Sequence, residues 1–363
     1  MIQRFNSRII NWYELHKRKL PWRNTSNAYL IWLSEIILQQ TRVEQGTPYY
    51  NRFVNKYPTV NDLANASIDE VLKLWQGLGY YSRARNLHET AVTIKQKYNG
   101  VFPIEYSEII ALKGIGKYTA SAIASFAYNK PYPVVDGNVM RVISRLFGIY
   151  SPINSTEGVN KIYEIVNELI DKQNPSSFNQ AIMEFGALQC VPVKPVCSSC
   201  IFINDCYSFS NNCIDKLPIK DKKIKQKERF FNYLVINYKF KNKSFLYLKK
   251  RTGDDIWKGL FDLPLIETNE LFNYSQLIST KEWANIVGKN EYELIDVSKI
   301  YKHQLTHQKI IAQFFSIQIY KEIDFKPSNS LILIDLKDFK NYAIPKLIDN
   351  YFAESNKKPQ LPI

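Results

Sequence analysis

The chain has 363 residues, 45% hydrophobic and 23% charged, which is ordinary globular composition and length enough for two domains. No apolar run approaches the ~20 residues that a bilayer-spanning helix needs, and no basic patch with a long apolar stretch opens the chain. Membrane and secretory classes are therefore set aside and a cytoplasmic location is expected. A net charge of +14 points to a polyanion as partner, nucleic acid first; the 24 Tyr, 20 Phe and 6 Trp either stack on bases or fill cores.

From residue 6 to about 205 the pattern is helical. Ile31, Leu33, Ile36, Ile37 and Leu38 share one strongly apolar helix with Glu35 in its midst. Such a carboxyl is either buried, where lost solvation keeps it protonated near neutrality, or it marks the one wet face. Leu63, Val71, Leu72, Leu74 and Trp75 continue at helical spacing. Gly77 and Gly79 then place Leu78 and Tyr80 on a loop.

Leu112-Lys-Gly-Ile-Gly-Lys-Tyr-Thr119 lies between two helical patterns. Gly114 and Gly116 permit a tight turn with close backbone approach, and the next helix begins with free N–H groups suited to phosphate. A nucleotide-binding P-loop is rejected, because one residue separates the glycines and Tyr118 follows Lys117. Residues 120–127 are small and apolar, fit for close helix packing. Asp136 precedes Gly137, a setting that by itself makes only a cap or turn.

The five cysteines all fall between Cys190 and Cys213, which excludes a disulfide scaffold. Cys190, Cys197, Cys200 and Cys206 are separated by six, two and five residues. Four thiolates this close suit zinc or an iron–sulfur cluster, and the single C-x-x-C with irregular gaps favours a 4Fe–4S cluster. Cys213 is read as a spare thiol.

Residues 216–229 carry seven Lys or Arg against two acids, a net of +5. They are expected to form a solvated linker, able also to follow a phosphate backbone. Beyond it, residues 233–236, 245–248, 310–319 and 331–334 read as strands, with helical pieces such as 278–287 between them. The expected division is a helical domain over 1–215, the linker over 216–229 and an α+β domain over 230–363. His303 and His307 are spaced for zinc, but Gln304 stands where a zinc protease needs Glu.

In combination and order these motifs resemble the helix-hairpin-helix DNA glycosylases, in the endonuclease III and MutY branch. The resemblance runs from Leu20 to the Thr306 loop. It rests on Ser34-Glu-Ile-Ile-Leu-Gln-Gln-Thr41, on Leu78-Gly-Tyr-Tyr-Ser-Arg-Ala-Arg85, on the 112–119 hairpin, on Asp136-Gly-Asn-Val139 and on the four cysteines. It implies an all-α helix-hairpin-helix glycosylase domain with one 4Fe–4S cluster, a monomer acting on double-stranded DNA. The implied reaction is hydrolysis of the N-glycosidic bond of adenine mispaired with 8-oxoguanine or guanine. Glu35 would protonate adenine N7, Asp136 would stabilise the sugar cation and Asn138 would orient the pair, a two-carboxylate logic shared with sugar hydrolysis.

By the same resemblance, Tyr118 stands where lyase members carry a Schiff-base Lys, so base removal without strand cleavage is implied. Trp22 and Arg23 would line the adenine pocket and Gln180 would read the adenine edge. Gln40 would be the wedge, while Leu78 and Tyr80 would probe the opposite base. The Gly114 and Gly116 amides and Lys194 would hold phosphates.

The second domain resembles the Nudix-like C-terminal domain of the same branch through Trp257-Lys-Gly-Leu-Phe-Asp-Leu-Pro264. It lacks the glutamate-rich helix of a working Nudix hydrolase, so it is expected to bind 8-oxoguanine rather than hydrolyse. Leu305-Thr-His307 matches a Phe-Ser-His loop: Leu305 forgoes aromatic stacking, and Thr306 keeps the hydroxyl next to His307. Two rival readings are an endonuclease III-like glycosylase–lyase for oxidised pyrimidines and a non-catalytic, cluster-bearing DNA-binding protein.

Overall fold

A computed structural model describes residues 2–221, 226–321 and 331–355. Positions 222–225 of the expected linker, and 322–330 and 356–363 of the expected second domain, lie outside the described residues. The chain forms two compact units, Met1–Asn65 with Asn86–Lys223, and Ala66–Arg85 with Ile224–Ile363.

The first unit is helical: α1 (Ile2–His16), α2 (Ala28–Leu38), α3 (Val43–Lys56) and α4 (Val60–Asn65). After α5 (Ile68–Trp75), which belongs to the second unit, α6 (Ser82–Lys97) returns the chain to the first. There follow α7 (Tyr106–Ile110), α8 (Lys117–Tyr128), α9 (Gly137–Phe147), α10 (Thr156–Leu169), α11 (Pro175–Leu188) and the short α12 (Tyr207–Ser210). Helix α2 starts where the Asn27 side chain accepts from the N–H groups of Tyr29 and Leu30. It is buried on almost every side and packs on α8, whose buried Ala120, Ala122 and Ala124 let the two backbones approach. A second core joins α1, α9, α10 and α11 through Ile9, Trp12, Val142, Ile162, Phe178 and Phe185.

The helical spacing from Leu63 to Trp75 is not one helix. Ser67 accepts from the Glu70 N–H while the Glu70 carboxylate accepts from the Ser67 N–H, and this reciprocal cap starts α5 afresh.

The second unit is an α+β domain. Its strands are β1 (Lys227–Phe240), β2 (Lys243–Lys250), β3 (Phe261–Asp262), β4 (Leu265–Thr268), β5 (Tyr292–Val297), β6 (Tyr301–Gln304), β7 (Gln308–Ile319) and β8 (Leu331–Asp335). β1 and β7 run parallel at the centre, from Lys227 opposite Gln308 to Tyr238 opposite Ile319; the other pairings are antiparallel. Phe231 through Ile236 are buried without alternation, as a strand covered on both faces requires. One face packs Leu234, Phe315 and Ile317 on α13 (Tyr274–Ile278) and α14 (Lys281–Val287). On the other, Phe314 stacks on Tyr351 of α15 (Lys346–Ser355), with ring centroids 4.1 Å apart. The helical reading of 278–287 breaks at Thr280, whose hydroxyl caps α14 by accepting from the Trp283 N–H. Among the described residues no helix is long and apolar enough to cross a membrane.

Candidate active site

A cavity of about 220 Å³ opens in the first unit between the loop after α1, the buried helix α2, the starts of α8 and α9, and α11. It brings together Trp22, Arg23, Glu35, Tyr118, Asp136, Asn138 and Gln180, which are far apart in sequence. Glu35 is only 8% exposed. Burial pushes its carboxyl up to about 7, the nearby Asp136 adds to this, and a hydrogen bond donated by the Tyr118 hydroxyl only partly offsets it. The same burial, with the two carboxylates nearby, holds the Tyr118 phenol well above its ordinary value, so it stays a neutral donor.

Asp136 is the N-cap of α9. One carboxylate oxygen accepts from the N–H groups of Asn138 at 2.9 Å and Val139 at 2.8 Å; the other accepts from Asn138 Nδ2 at 2.8 Å. Burial raises its pKa, and these donors pull against it in favour of the anion. Asn138 is itself fixed by Arg141, which donates to Asn138 Oδ1 at 2.8 Å and to the carbonyls of Gly186 and Cys190. Gln180 accepts from the Tyr13 hydroxyl at 3.0 Å. Trp22 lies edge-on to Tyr50, with centroids 5.2 Å apart.

At the 112–119 hairpin the two glycines differ. Gly114 has φ +76°, and a Cβ there would press on the Asn86 side chain at 2.7 Å. Gly116 has φ −91°, and a Cβ there would meet nothing within 4 Å beyond its own stretch of chain. Gln40, Tyr80 and Lys194 share a feature that sequence did not predict: all three are exposed and all hold left-handed backbone, with φ of 54°, 48° and 50°. Non-glycine residues adopt that region at a cost, which concentrates at working surfaces. Leu78, by contrast, is buried at 6% exposure.

Cys190, Cys197, Cys200 and Cys206 line one small cavity with Arg145. Arg145 donates toward Cys190 Sγ at 3.5 Å and to the carbonyls of Val191 and Pro192, and the Phe202 N–H points at Cys200 Sγ at 3.4 Å. Donors aimed at sulfur suit thiolates in a cluster. Among the described residues no three His, Cys, Asp or Glu side chains form a group fit for one metal ion. Cys213 is buried apart from the cavity and accepts from the Tyr150 hydroxyl.

A larger cavity of about 500 Å³ lies within the second unit. Tyr80, Trp257, Leu305, Thr306 and His307 are among its walls. The Tyr80 and Thr306 hydroxyls are 2.6 Å apart. Leu305 opens the turn from β6 to β7, with its N–H on the Gln308 carbonyl at 2.8 Å. His303 faces Trp257 edge-on, and burial lowers its pKa.

These sites can be set against known proteins. Residues 33–168 match the HhH-GPD superfamily of base excision DNA repair proteins, and residues 234–354 match the NUDIX domain. The adenine DNA glycosylase of Buchnera aphidicola subsp. Baizongia pistaciae is 35% identical over 357 residues, 97% of both chains. The chain belongs to the adenine DNA glycosylase family. The Mus musculus adenine DNA glycosylase is 43% identical over 205 residues, 54% of this chain and 40% of that one. A thermostable thymine-DNA glycosylase of known structure is similar with a TM-score of 0.54 and 31% identity, over 58% of this chain and 97% of that one.

Within this family member, sequence reasoning missed Glu184. It lines the first cavity, is 1% exposed and takes bonds from Arg18 N, Nε and Nη2 and from Arg23 Nη2. Burial works against its charge, but these donors hold its pKa at about 2. Its position four residues after Gln180 on α11 was the available signal, since both then share one helix face.

Proposed function

We propose that the chain removes adenine from duplex DNA in base excision repair, where the adenine lies opposite 8-oxoguanine or, less readily, guanine. The observation that carries this reading is a carboxyl held near pH 7, Glu35, in one cavity with a carboxylate fixed by three donors, Asp136. Glu35 gives its proton to adenine N7. The C1′–N9 bond then breaks with its electron pair leaving on the base, and positive charge grows on the sugar, where the Asp136 carboxylate stabilises it. Water adds at C1′ and passes a proton to the Glu35 carboxylate, which completes the hydrolysis and restores the acid. Asn138 keeps Asp136 aimed. The pair formed by Glu184 and Arg23 fixes the wall beside Trp22, and Gln180 offers its amide to the adenine edge.

Chemistry through an amine is disfavoured. Lys117 Nζ lies 3.7 Å from the centroid of the Tyr163 ring, a cation–π contact that keeps it occupied. Tyr118, the residue at the cavity, has no amine. A monofunctional hydrolysis follows, rather than a glycosylase–lyase.

Cys190, Cys197, Cys200 and Cys206 would hold one 4Fe–4S cluster, which supplies structural support for the loop bearing Lys194. The open space at Gly116 is understandable if a phosphate oxygen approaches the backbone there, with Lys194 holding another. Gln40 and Tyr80 would enter the base stack as the adenine leaves it. The Thr306 hydroxyl, with Leu305 and His307, would read 8-oxoguanine, whose N7 carries a hydrogen that guanine lacks. A cytoplasmic monomer fits this role.

Single-turnover cleavage of duplexes with adenine opposite 8-oxoguanine, guanine, cytosine or thymine, with and without hot alkali, tests the reading. Alkali-dependent cleavage confined to the first two is expected. Alkali-independent nicking, or no cleavage of any adenine duplex, would overturn it.

A further inference from the structure

We infer that Arg229 and Arg251 are positioning residues that shape the cavity around Thr306 and thereby set the preference between 8-oxoguanine and guanine. The inference rests on the reading above. Neither arginine lines the cavity, but the residues that do, Asp255, Ile256, Trp257 and Gln308, are the ones they hold. Trp257 has φ +60°, a conformation that a bulky L residue keeps only when its surroundings impose it.

Arg251 imposes it from the inside of the loop. Its Nε donates to the Ile256 carbonyl at 3.0 Å, its Nη2 to Asp255 at 2.8 Å and its Nη1 to the buried Asp262 at 2.6 Å. Its guanidinium also lies 5.8 Å from the Trp257 ring centroid. Arg229, on β1, ties the same loop to the other wall. Its Nη1 donates to Asp255 Oδ1 at 2.7 Å and to Gln308 Oε1 at 3.1 Å, while Nε and Nη2 grip Glu267 at 2.7 and 2.6 Å. Gln308 directly follows the turn that carries Thr306 and His307. A single carboxylate, Asp255, is thus shared by both guanidinium groups, and through it the strained Trp257 and the Thr306 turn are held in register. Two bases that differ at one ring edge can be told apart only by a wall that does not yield. The planar fork of Arg makes these several directed bonds at once, and the point charge of Lys does not.

The test uses the full chain carrying Arg229→Lys or Arg251→Lys, with Asp255→Asn as an independent cut of the same link. Single-turnover rates and duplex affinities are measured for adenine opposite 8-oxoguanine and opposite guanine, with thermal melting to establish that each variant is folded. The expected result is that the 8-oxoguanine-to-guanine ratio falls by about tenfold, as a wall shifted by a fraction of an ångström would give, with the 8-oxoguanine duplex losing most. Folded variants that keep the parental ratio, or that lose both substrates equally, overturn the inference. A parent chain with no preference between the two duplexes overturns the lesion reading itself, which is a distinct result.

Discussion

The cavity around Glu35 and the cavity around Thr306 differ in how their charged side chains are compensated. In the first, Glu35 is buried with one neutral donor and sits at about 7, while Glu184 in the same wall is clasped by two arginines and stays at about 2. In the second, the hydrogen bonds from Arg229 hold Asp255 below the usual carboxylate range despite its partial burial, and Arg251 adds to this. A proton donor must be left under-compensated, because only then does it keep its proton at working pH. A recognition wall needs the reverse, charges matched so fully that the loop cannot shift. The molecule keeps these two demands in separate compact units.

If that division holds, losses at Glu35 are large and blind to the opposite base. Glu35→Gln should lower single-turnover excision by about 10³-fold on the 8-oxoguanine and guanine duplexes alike, the range of a lost general acid. Asp136→Asn should cost about 10²- to 10³-fold, as removal of transition-state charge stabilisation does. Both variants should still bind duplex in gel-shift titration. A loss that differed strongly between the two duplexes would break the comparison. The parent rate should also fall above pH ~7, where Glu35 gives up its proton to solvent.

The under-compensated acid has a cost in stability, and its sign can be worked out. The Glu35 carboxyl rises from 4.5 to about 7 on folding, so between those values the native state binds more protons than the unfolded chain. Stability contributed at this site therefore declines as pH rises through that window and stays lower above it. Glu35→Gln should match the parent below pH ~4.5 and exceed it at pH 8 by up to about 3 kcal/mol in chemical denaturation. Equal stabilities at pH 8 would mean that Glu35 finds compensation after all.

The legible parts of this molecule were those whose cause is local. Helix α2 betrayed itself by apolar residues on every side, β1 and β7 by runs of aromatic and β-branched residues, and the hairpin by Gly114, whose φ of +76° only glycine adopts freely. The short strands β5 and β6 escaped because exposed Glu293, Asp296, Lys302 and Gln304 dilute their pattern. The break before α5 was written in Ser67 and Glu70, a cap three residues apart that the hydrophobic spacing overshadowed. Glu184 carries no local signal of its charged partners, because the arginines that compensate it stand more than 160 positions earlier. For the same reason no local pattern tells that Ala66–Arg85 groups with the second unit; contacts such as that of Tyr80 with Thr306 decide it.

On the recognition side the effects should be smaller and selective. Thr306→Val removes one hydroxyl from the second cavity and nothing from the first. The preference for 8-oxoguanine over guanine should fall by about fivefold, the worth of one hydrogen bond near 1 kcal/mol, measured as the ratio of duplex affinities. An equal drop on both duplexes would show that Thr306 acts on the reaction rather than on reading.

The smallest effect belongs to Lys117. It is adjacent in sequence to Tyr118 at the first cavity, and if the amine did the chemistry its removal would abolish a covalent intermediate and with it the reaction. Its ammonium instead lies over the Tyr163 ring, at the solvent-facing start of α8. Lys117→Ala should therefore change single-turnover excision by less than about twofold, since loss of one exposed cation–π contact is worth only about 0.5–1 kcal/mol to the helix end. Borohydride should trap no more than a trace of covalent DNA adduct with either protein. A strong adduct in the parent that vanishes in Lys117→Ala would move the chemistry from a proton held by burial to an amine, and the contrast between the two cavities would have to be redrawn.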